Sequence, residues 1–270
     1  MPPVHRADAS VAVELSRGHP GGVEGDADIA RTAALFADPA RVRVLLALGD
    51  GRALAASVLA AEARLSAQGV SAHLAKLRAA GLVVAEKSGR HRFYRLAGPD
   101  PAELLETLAR FSPSQPVTSL REGTRAEALR TARTCYDHLA GRLGVAVTAA
   151  LLARGALAGA PDTRRRAGDR ISAPLREHPY TLGPAAEPVF DALGVDLTAA
   201  SSGRRPLLKF CLDWSEQRHH LAGALGAAVA TRFRDAGWVR RRADAHRALR
   251  LTPAGARALE THLGLAGLAA

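Results

Sequence analysis

Two cysteines carry the most reactive side chains in this sequence, and each has similar company. Cys135 is followed by Asp137 and His138, and Cys211 by Asp213, His219 and His220. Thiolate and imidazole are the donors that soft metal ions such as zinc take, commonly four at a time. Cys135 and His138 are spaced i, i+3, so they would share one face of a helix if that stretch is helical. Cys135, His138, Cys211 and His219 are therefore the candidate metal ligands, provided the fold brings the two groups together, and a metal ion such as zinc is the one cofactor this pattern suggests. Two other readings stand beside it. Cys135, activated by His138, would be a redox- or electrophile-sensing thiol. Alternatively, the cysteines are small buried apolar residues, and Asp137 and Asp213 bond backbone N–H groups at helix starts.

The two groups belong to a longer repeat. His138–Val147 aligns with His220–Val229 at a constant offset of 82, which persists to Gly155-Ala156-Leu157 and Gly237-Trp238-Val239. Leu182-Gly183-Pro184-Ala185 resembles Leu251-Thr252-Pro253-Ala254 at an offset of 69, so the intervening loop is longer in the first copy. Cys135-Tyr136-Asp137 resembles Cys211-Leu212-Asp213 at an offset of 76, so there the second copy is longer. Each copy reads as a long helix, a strand starting at Gly, a variable loop, a strand ending in Leu and a short helix (Val189 to Leu193; Ala256 to Leu263). A pseudo-twofold packing of the copies would let the two groups meet. The second copy is basic, with Arg232, Arg234, Arg240, Arg241, Arg242, Arg247 and Arg250 against Asp235 and Asp244. It could touch DNA, yet the helix read from His220 to Phe233 offers Ala and Gly where contacts would be. An effector-binding or dimer-supporting role fits it better.

The first half is punctuated as a small domain. Ile29, Ala33, Leu35 and Phe36 have helical spacing. Pro39 opens a second helix at a position where its missing N–H costs nothing. Val42, Leu45, Leu46 and Leu48 give that helix an apolar face, and Gly49-Asp50-Gly51 ends it. A third helix runs from about Ala53 to Ala63. Ser66 reads as the N-cap of a fourth, with Val70, Leu74 and Leu77 on one side and Gly81 as its stop. The period then changes to two, with strands Leu82–Glu86 and His91–Leu96 around a turn at Lys87–Arg90. A last helix covers Glu103 to Phe111. This is the layout of a winged helix-turn-helix, in which a packed scaffold offers one helix to the major groove and a hairpin to the neighbouring backbone.

Charge supports that layout. The chain of 270 residues carries 37 basic and 26 acidic residues, a net charge of +11 that favours a polyanionic partner. Seven of the basic residues lie between Arg64 and Arg95 against the single acid Glu86, which is more than half of the excess. A bias toward arginine does not explain it, because two of the three lysines, Lys76 and Lys87, are also here.

Leu65–Val83, with its Ser-x-His-Leu-x-x-Leu-x-x-Ala-Gly-Leu-Val core at Ser71–Val83, resembles the recognition helix of the ArsR-family transcriptional regulators. Phe36–Arg43 is similar to that family's second helix, and Gly89–Leu96 to its wing. The resemblance covers about 85 residues and implies a homodimeric repressor that leaves double-stranded operator DNA when a small-molecule or metal effector binds. It also implies a dimer built from Ile29–Leu35 together with Glu103–Phe111. The family's familiar metal positions do not carry over, because Ala53–Ala60 holds neither cysteine nor histidine and Glu103–Leu108 holds no histidine. Arg64 stands where the family's turn usually has glycine, and Gly69 sits inside the recognition helix. Near the C-terminus, Arg250–Gly255 resembles the second wing strand and exit of MarR-like winged helices.

The candidate DNA contacts follow. Ser66, Gln68, Ser71 and Ala72 face away from the apolar stripe, and Gln68 can pair bidentately with adenine. Lys76, Lys87, Arg90 and Arg92 suit phosphates. His73 and Tyr94 complete the set, although His73 would equally serve as a half-buried residue packing the turn. The fold expected is mainly α with small β-hairpin wings. Residues 1–27 form a disordered tail, 28–112 the winged helix-turn-helix and 113–124 a linker. A C-terminal domain of two degenerate winged-helix-like repeats, about 131–197 and 207–266, completes the chain at 125–270. Its 47% hydrophobic content allows a sizeable core. No apolar run suits a membrane span, and the N-terminus lacks a secretory signal, so a cytoplasmic protein is expected. No GxGxxG, Walker, HExxH or GxSxG string argues for an enzyme. The competing reading is a protein that binds DNA without sequence preference.

Overall fold

The computed structural model describes residues 26–89, 91–113, 116, 119–159, 180–242 and 247–267. Arg90, most of the expected tail and the variable loop at 160–179 lie outside them. The first half contains α1 (Ile29–Phe36), α2 (Pro39–Leu48), β1 (Leu54–Ala55), α3 (Ala56–Ala63), α4 (Ala67–Ala79), β2 (Val83–Ser88), β3 (His91–Leu96) and α5 (Pro99–Phe111). Local chemistry sets the boundaries. Asp38 caps α2 by accepting the Arg41 N–H at 2.8 Å, with Pro39 in the first turn. Ser66 caps α4 by accepting the Gly69 N–H at 3.1 Å. Val70, Leu74 and Leu77 of α4 enter one core with Val44, Leu45 and Leu48 of α2 and Leu59 of α3. The wing strands pair antiparallel from Val83↔Leu96 to Ser88↔His91, and β1 adds to the outer side of β3.

The second half contains α6 (Leu120–Thr131), β4 (Arg133–Cys135), β5 (His138–Ala140), α7 (Gly141–Ala153), β6 (Leu157–Gly159), β7 (Tyr180–Leu182), α8 (Ala186–Ala192), α9 (Leu197–Ser201), β8 (Lys209–Leu212), β9 (His219–Ala222), α10 (Gly223–Asp235), β10 (Val239–Arg241), β11 (Leu249–Leu251) and α11 (Pro253–Leu263). Helix α6 begins inside the stretch expected to be a linker. Each repeat is a hairpin, a long helix, a second hairpin and a helix. The expectation that Cys135 and His138 share a helix face is corrected: both lie on strands, and α7 begins only at Gly141. Likewise His220 belongs to β9 rather than to the helix read from His220 to Phe233. All three residues of β4 and of β5 are buried, and so short a run carries no period that separates strand from helix.

The repeats exchange packing. Helix α7 lies across β9 of the second repeat, and α10 lies across β5 of the first. Leu139, Leu143 and Val147 therefore share one core with their counterparts Leu221, Leu225 and Val229. Gly144 and Gly226 permit this approach. A Cβ at Gly144 would stand 2.4 Å from the Leu139 carbonyl and 3.5 Å from the His220 Cβ, and one at Gly226 2.6 Å from the Leu221 carbonyl and 3.3 Å from the His138 Cβ. Among the described residues no helix is long and apolar enough to cross a membrane.

Candidate functional site

Helix α4 presents Gln68, Ser71, Ala72 and Lys76 to solvent, opposite its buried stripe. Two of the candidate DNA contacts on it already have local partners. The Ser66 hydroxyl is the N-cap acceptor, and the Ser71 hydroxyl donates to the Ala67 carbonyl at 2.8 Å. His73 is half-buried, its Nδ1 3.9 Å from Asp38 Oδ1 and without a hydrogen bond, so it packs beside the start of α2. On the wing, Lys87 and Arg92 are exposed and directly opposite one another in the β2–β3 register. Like charges so placed repel across the strands, and a phosphate between them would relieve the repulsion. Tyr94 is a correction. It is 8% exposed, faces Ala85 and Leu54 in the sheet, and belongs to the core rather than to a DNA-facing surface. The sheet's period of two assigns Arg92 and Tyr94 to one face, but β1 pairs beside Tyr94 and stops short of Arg92.

The cysteines and histidines meet between the repeats. In the β4–β5 hairpin Cys135 stands directly opposite His138, and in the β8–β9 hairpin Cys211 stands directly opposite His220. One ligand atom from each of these four residues lies within 4.8 Å of all the others. The two imidazoles are 5.2 Å apart between ring centroids. His219, the residue expected from the sequence, points elsewhere: its Nδ1 is 3.2 Å from the Tyr180 hydroxyl. His220 takes its place. The signal was present in the repeat itself, which aligns His138 with His220 and not with His219.

Each imidazole has a carboxylate oxygen beside its Nδ1. His138 Nδ1 is 3.4 Å from Asp137 Oδ1, and His220 Nδ1 is 3.2 Å from Asp213 Oδ2. His138 Nε2 and both ring nitrogens of His220 are buried and make no hydrogen bond, so the Asp213 contact is an ion pair by distance alone. Orphaned imidazole nitrogens beside two thiols, each ring oriented by a carboxylate, are the arrangement of a ligated histidine with its supporting shell. The donor set thus fits a tetrahedral Cys2His2 ion. A hydrogen bond with Cys211 and burial push the Cys135 thiol up to about 12. It is therefore not an activated nucleophile on its own. Burial opposes protonation of His220, but the Asp213 carboxylate and the Cys135 sulfur outweigh it and raise the ring to about 9. Burial would raise Asp137, yet His138 and Arg205 bring it to about 2.

Asp213 joins this cluster to the winged-helix half. It is fully buried and accepts from Arg133 Nη2 at 3.0 Å, the Gly141 N–H at 2.7 Å and the Ser215 hydroxyl at 2.7 Å. Arg133 is fully buried, and its Nη2 also reaches Glu106 Oε2 on α5 at 3.0 Å. Glu106 Oε1 accepts from Arg247 Nη1 at 2.7 Å. Burial disfavours the charged form of Glu106, but Arg133 and Arg247 hold its carboxyl below the usual glutamate range. A second junction lies at the end of α2, where the Tyr136 N–H donates to the Gly49 carbonyl at 2.9 Å and Arg241 pairs with the buried Asp50. Arg241 and Arg247, counted in the basic second copy, therefore face this interface rather than solvent.

Residues 36–85 match the model of a helix-turn-helix domain. The chain is 38% identical over 238 residues to YdfF of Bacillus subtilis, an HTH-type transcriptional regulator, covering 88% of this chain and 98% of that protein. It is 39% identical over 97 residues to CmtR of Mycobacterium bovis, also an HTH-type transcriptional regulator, covering 34% of this chain and 81% of that one. A solution structure of the cadmium metal-sensor CmtR from Mycobacterium tuberculosis is 36% identical, with a TM-score of 0.26 over 34% of this chain and 99% of that one.

Proposed function

The chain belongs to the ArsR-like winged helix-turn-helix transcriptional regulators, and from that premise we propose a homodimeric, sequence-specific repressor whose hold on DNA is released by a metal ion bound at Cys135, His138, Cys211 and His220. The convergence of four donor atoms within 4.8 Å, with two orphaned Nε2 atoms among them, carries the effector reading. A zinc-class ion there would tie the two repeats together through four bonds. Gln68 reads the base edges from α4, with Ser71 beside it. Lys76 and the wing residues Lys87 and Arg92 hold phosphates. The dimer reading draws on the exposed apolar side chains of Ile29 on α1 and Leu108 and Phe111 on α5, which a second copy would cover. The thiol-sensor reading is the weaker one, because the hydrogen bond with Cys211 and burial both push the Cys135 thiol up, away from an activated thiolate.

The test measures binding to the duplex upstream of the protein's own gene and to a random duplex of equal length, each with Zn2+ and with chelator. The expected result is one metal per chain and a preference for the upstream duplex of roughly a thousandfold or more. Zn2+ should weaken that binding by at least about fivefold. Equal binding to both duplexes would identify a non-specific DNA-binding protein. Metal binding without any change in DNA affinity would make the ion structural.

A further inference from the structure

The two metal-bearing hairpins make the same contact with the winged-helix half. Arg133 lies two residues before Cys135, and Lys209 lies two residues before Cys211. These are equivalent positions of the repeat, on the same strand face as the cysteine that follows. Arg133 reaches Glu106 of α5 at 3.0 Å, and Lys209 Nζ reaches Glu103 of α5 at 3.1 Å. Glu103 and Glu106 are spaced i, i+3, so they are neighbours on one face of α5. Helix α5 is therefore gripped once by each hairpin, through a cation two residues from a candidate ligand.

We propose that this paired grip is how the metal site is read by the DNA-binding half, a proposal that rests on the metal reading of the Cys135–His138–Cys211–His220 cluster. Ligand atoms of a tetrahedral zinc site stand about 3.4–3.8 Å apart, given metal–ligand bonds of about 2.0–2.3 Å. The same atoms here span up to 4.8 Å. Each hairpin supplies two of the four ligands, so occupancy would reset the spacing of the two hairpins. The two cations would move with their strands, while the spacing of Glu103 and Glu106 is set by the α-helix. The mismatch is relieved by tilting or rotating α5. That helix packs on α2 and β3, and it carries Leu108 and Phe111 on the face assigned to the second protomer, so its movement changes how two recognition helices are spaced on DNA. Arg133 is placed to share in the transfer, because one nitrogen serves both Asp213, which faces His220, and Glu106. Arg133, Lys209, Glu103 and Glu106 act here as positioning residues that touch neither DNA nor metal.

The Lys209–Glu103 pair is the accessible half of the grip, with side chains 21% and 31% exposed, so its charges can be exchanged without burying an unpaired ion. The experiment compares wild type, Lys209→Glu, and Lys209→Glu combined with Glu103→Lys. Zn2+ stoichiometry, thermal melting and affinity for the upstream duplex, with and without Zn2+, are read for each. Lys209→Glu should still bind one Zn2+ and still bind DNA, but the ratio of metal-free to metal-loaded affinity should fall from at least about fivefold to within about twofold of unity. The exchanged pair should restore the ratio. A purely structural pair would lower the melting temperature and both affinities together while leaving the ratio unchanged, and that result overturns the proposal. A wild-type protein that takes up no Zn2+, or whose DNA binding ignores it, fails the metal reading itself, an outcome visible before any variant is made. If Lys209→Glu does not fold, Glu103→Gln removes the same grip without repulsion. A retained fivefold ratio in that variant also overturns the proposal.

Discussion

At the scale of single residues, the difference between His219 and His220 decides which chemistry is available. Adjacent residues on a strand point to opposite sides. His220 faces Cys211 across its hairpin and the first repeat's His138 across the axis, while His219 reaches Tyr180. His220→Ala should therefore abolish stoichiometric Zn2+ binding, as should Cys135→Ser. His219→Ala should leave one ion per chain bound. Elemental analysis of the three purified variants checks this, and loss of metal in His219→Ala alone would reject the assignment. Asp137 and Asp213 occupy equivalent places behind the two histidines but have different further partners. Asp137 is held by Arg205 near the surface. Asp213 is held by Arg133 in the interior, which gives the second histidine its connection to α5.

At the scale of elements, α4 depends on a turn that the chain makes with an unusual residue. Arg64 closes α3 in the left-handed region, at φ 57° and ψ 47°, where a side chain costs about 1–2 kcal/mol and glycine costs little. Its ion pair with Glu122 at 3.6 Å is largely exposed and contributes little. Arg64→Gly should therefore stabilise the protein by about 1 kcal/mol, raising the urea midpoint without altering the slope. A lower midpoint would mean that the Glu122 contact outweighs the backbone strain. Gly69 has a different local reason. A Cβ there would lie 3.3 Å from the Ser66 cap hydroxyl, so the residue that weakens the helix also leaves its cap undisturbed. Much of this half was legible from punctuation. Asp38-Pro39, Ser66 and the change of period after Gly81 each name a boundary by local chemistry. The first hairpin of each repeat was not legible, because such short strands offer too few positions to separate a period of two from one of 3.6.

At the scale of the whole molecule, the two halves are joined by buried charge. Glu106 sits between Arg133 and Arg247, and its carboxyl is held below its ordinary value of 4.5. A depressed carboxyl stabilises the fold above the unfolded-state value and loses that contribution as pH falls through the folded-state value. The junction should therefore be intact at neutral pH and weaken below about pH 4.5. Glu106→Gln should lower the melting temperature at pH 7, because removing one partner of a buried ion pair costs on the order of 3–5 kcal/mol. It should also shrink the difference between melts at pH 7 and pH 4. An unchanged difference would mean that other carboxyls govern the acid response.

The sequence by itself determined the DNA-binding half, its helix caps, the concentration of positive charge on α4 and the wing, and the existence of two copies behind it. Those features are local, since a cap, a period or a repeated string is complete within a few residues of chain. Only the tertiary structure decided which histidine completes the metal cluster, that Tyr94 is covered, and that Arg241 and Arg247 turn inward to Asp50 and Glu106. Each of these depends on which surface lies opposite a strand or helix. That is set by packing between segments far apart in the chain, as in the Arg133–Asp213 and Asp50–Arg241 pairs, whose partners no local pattern records.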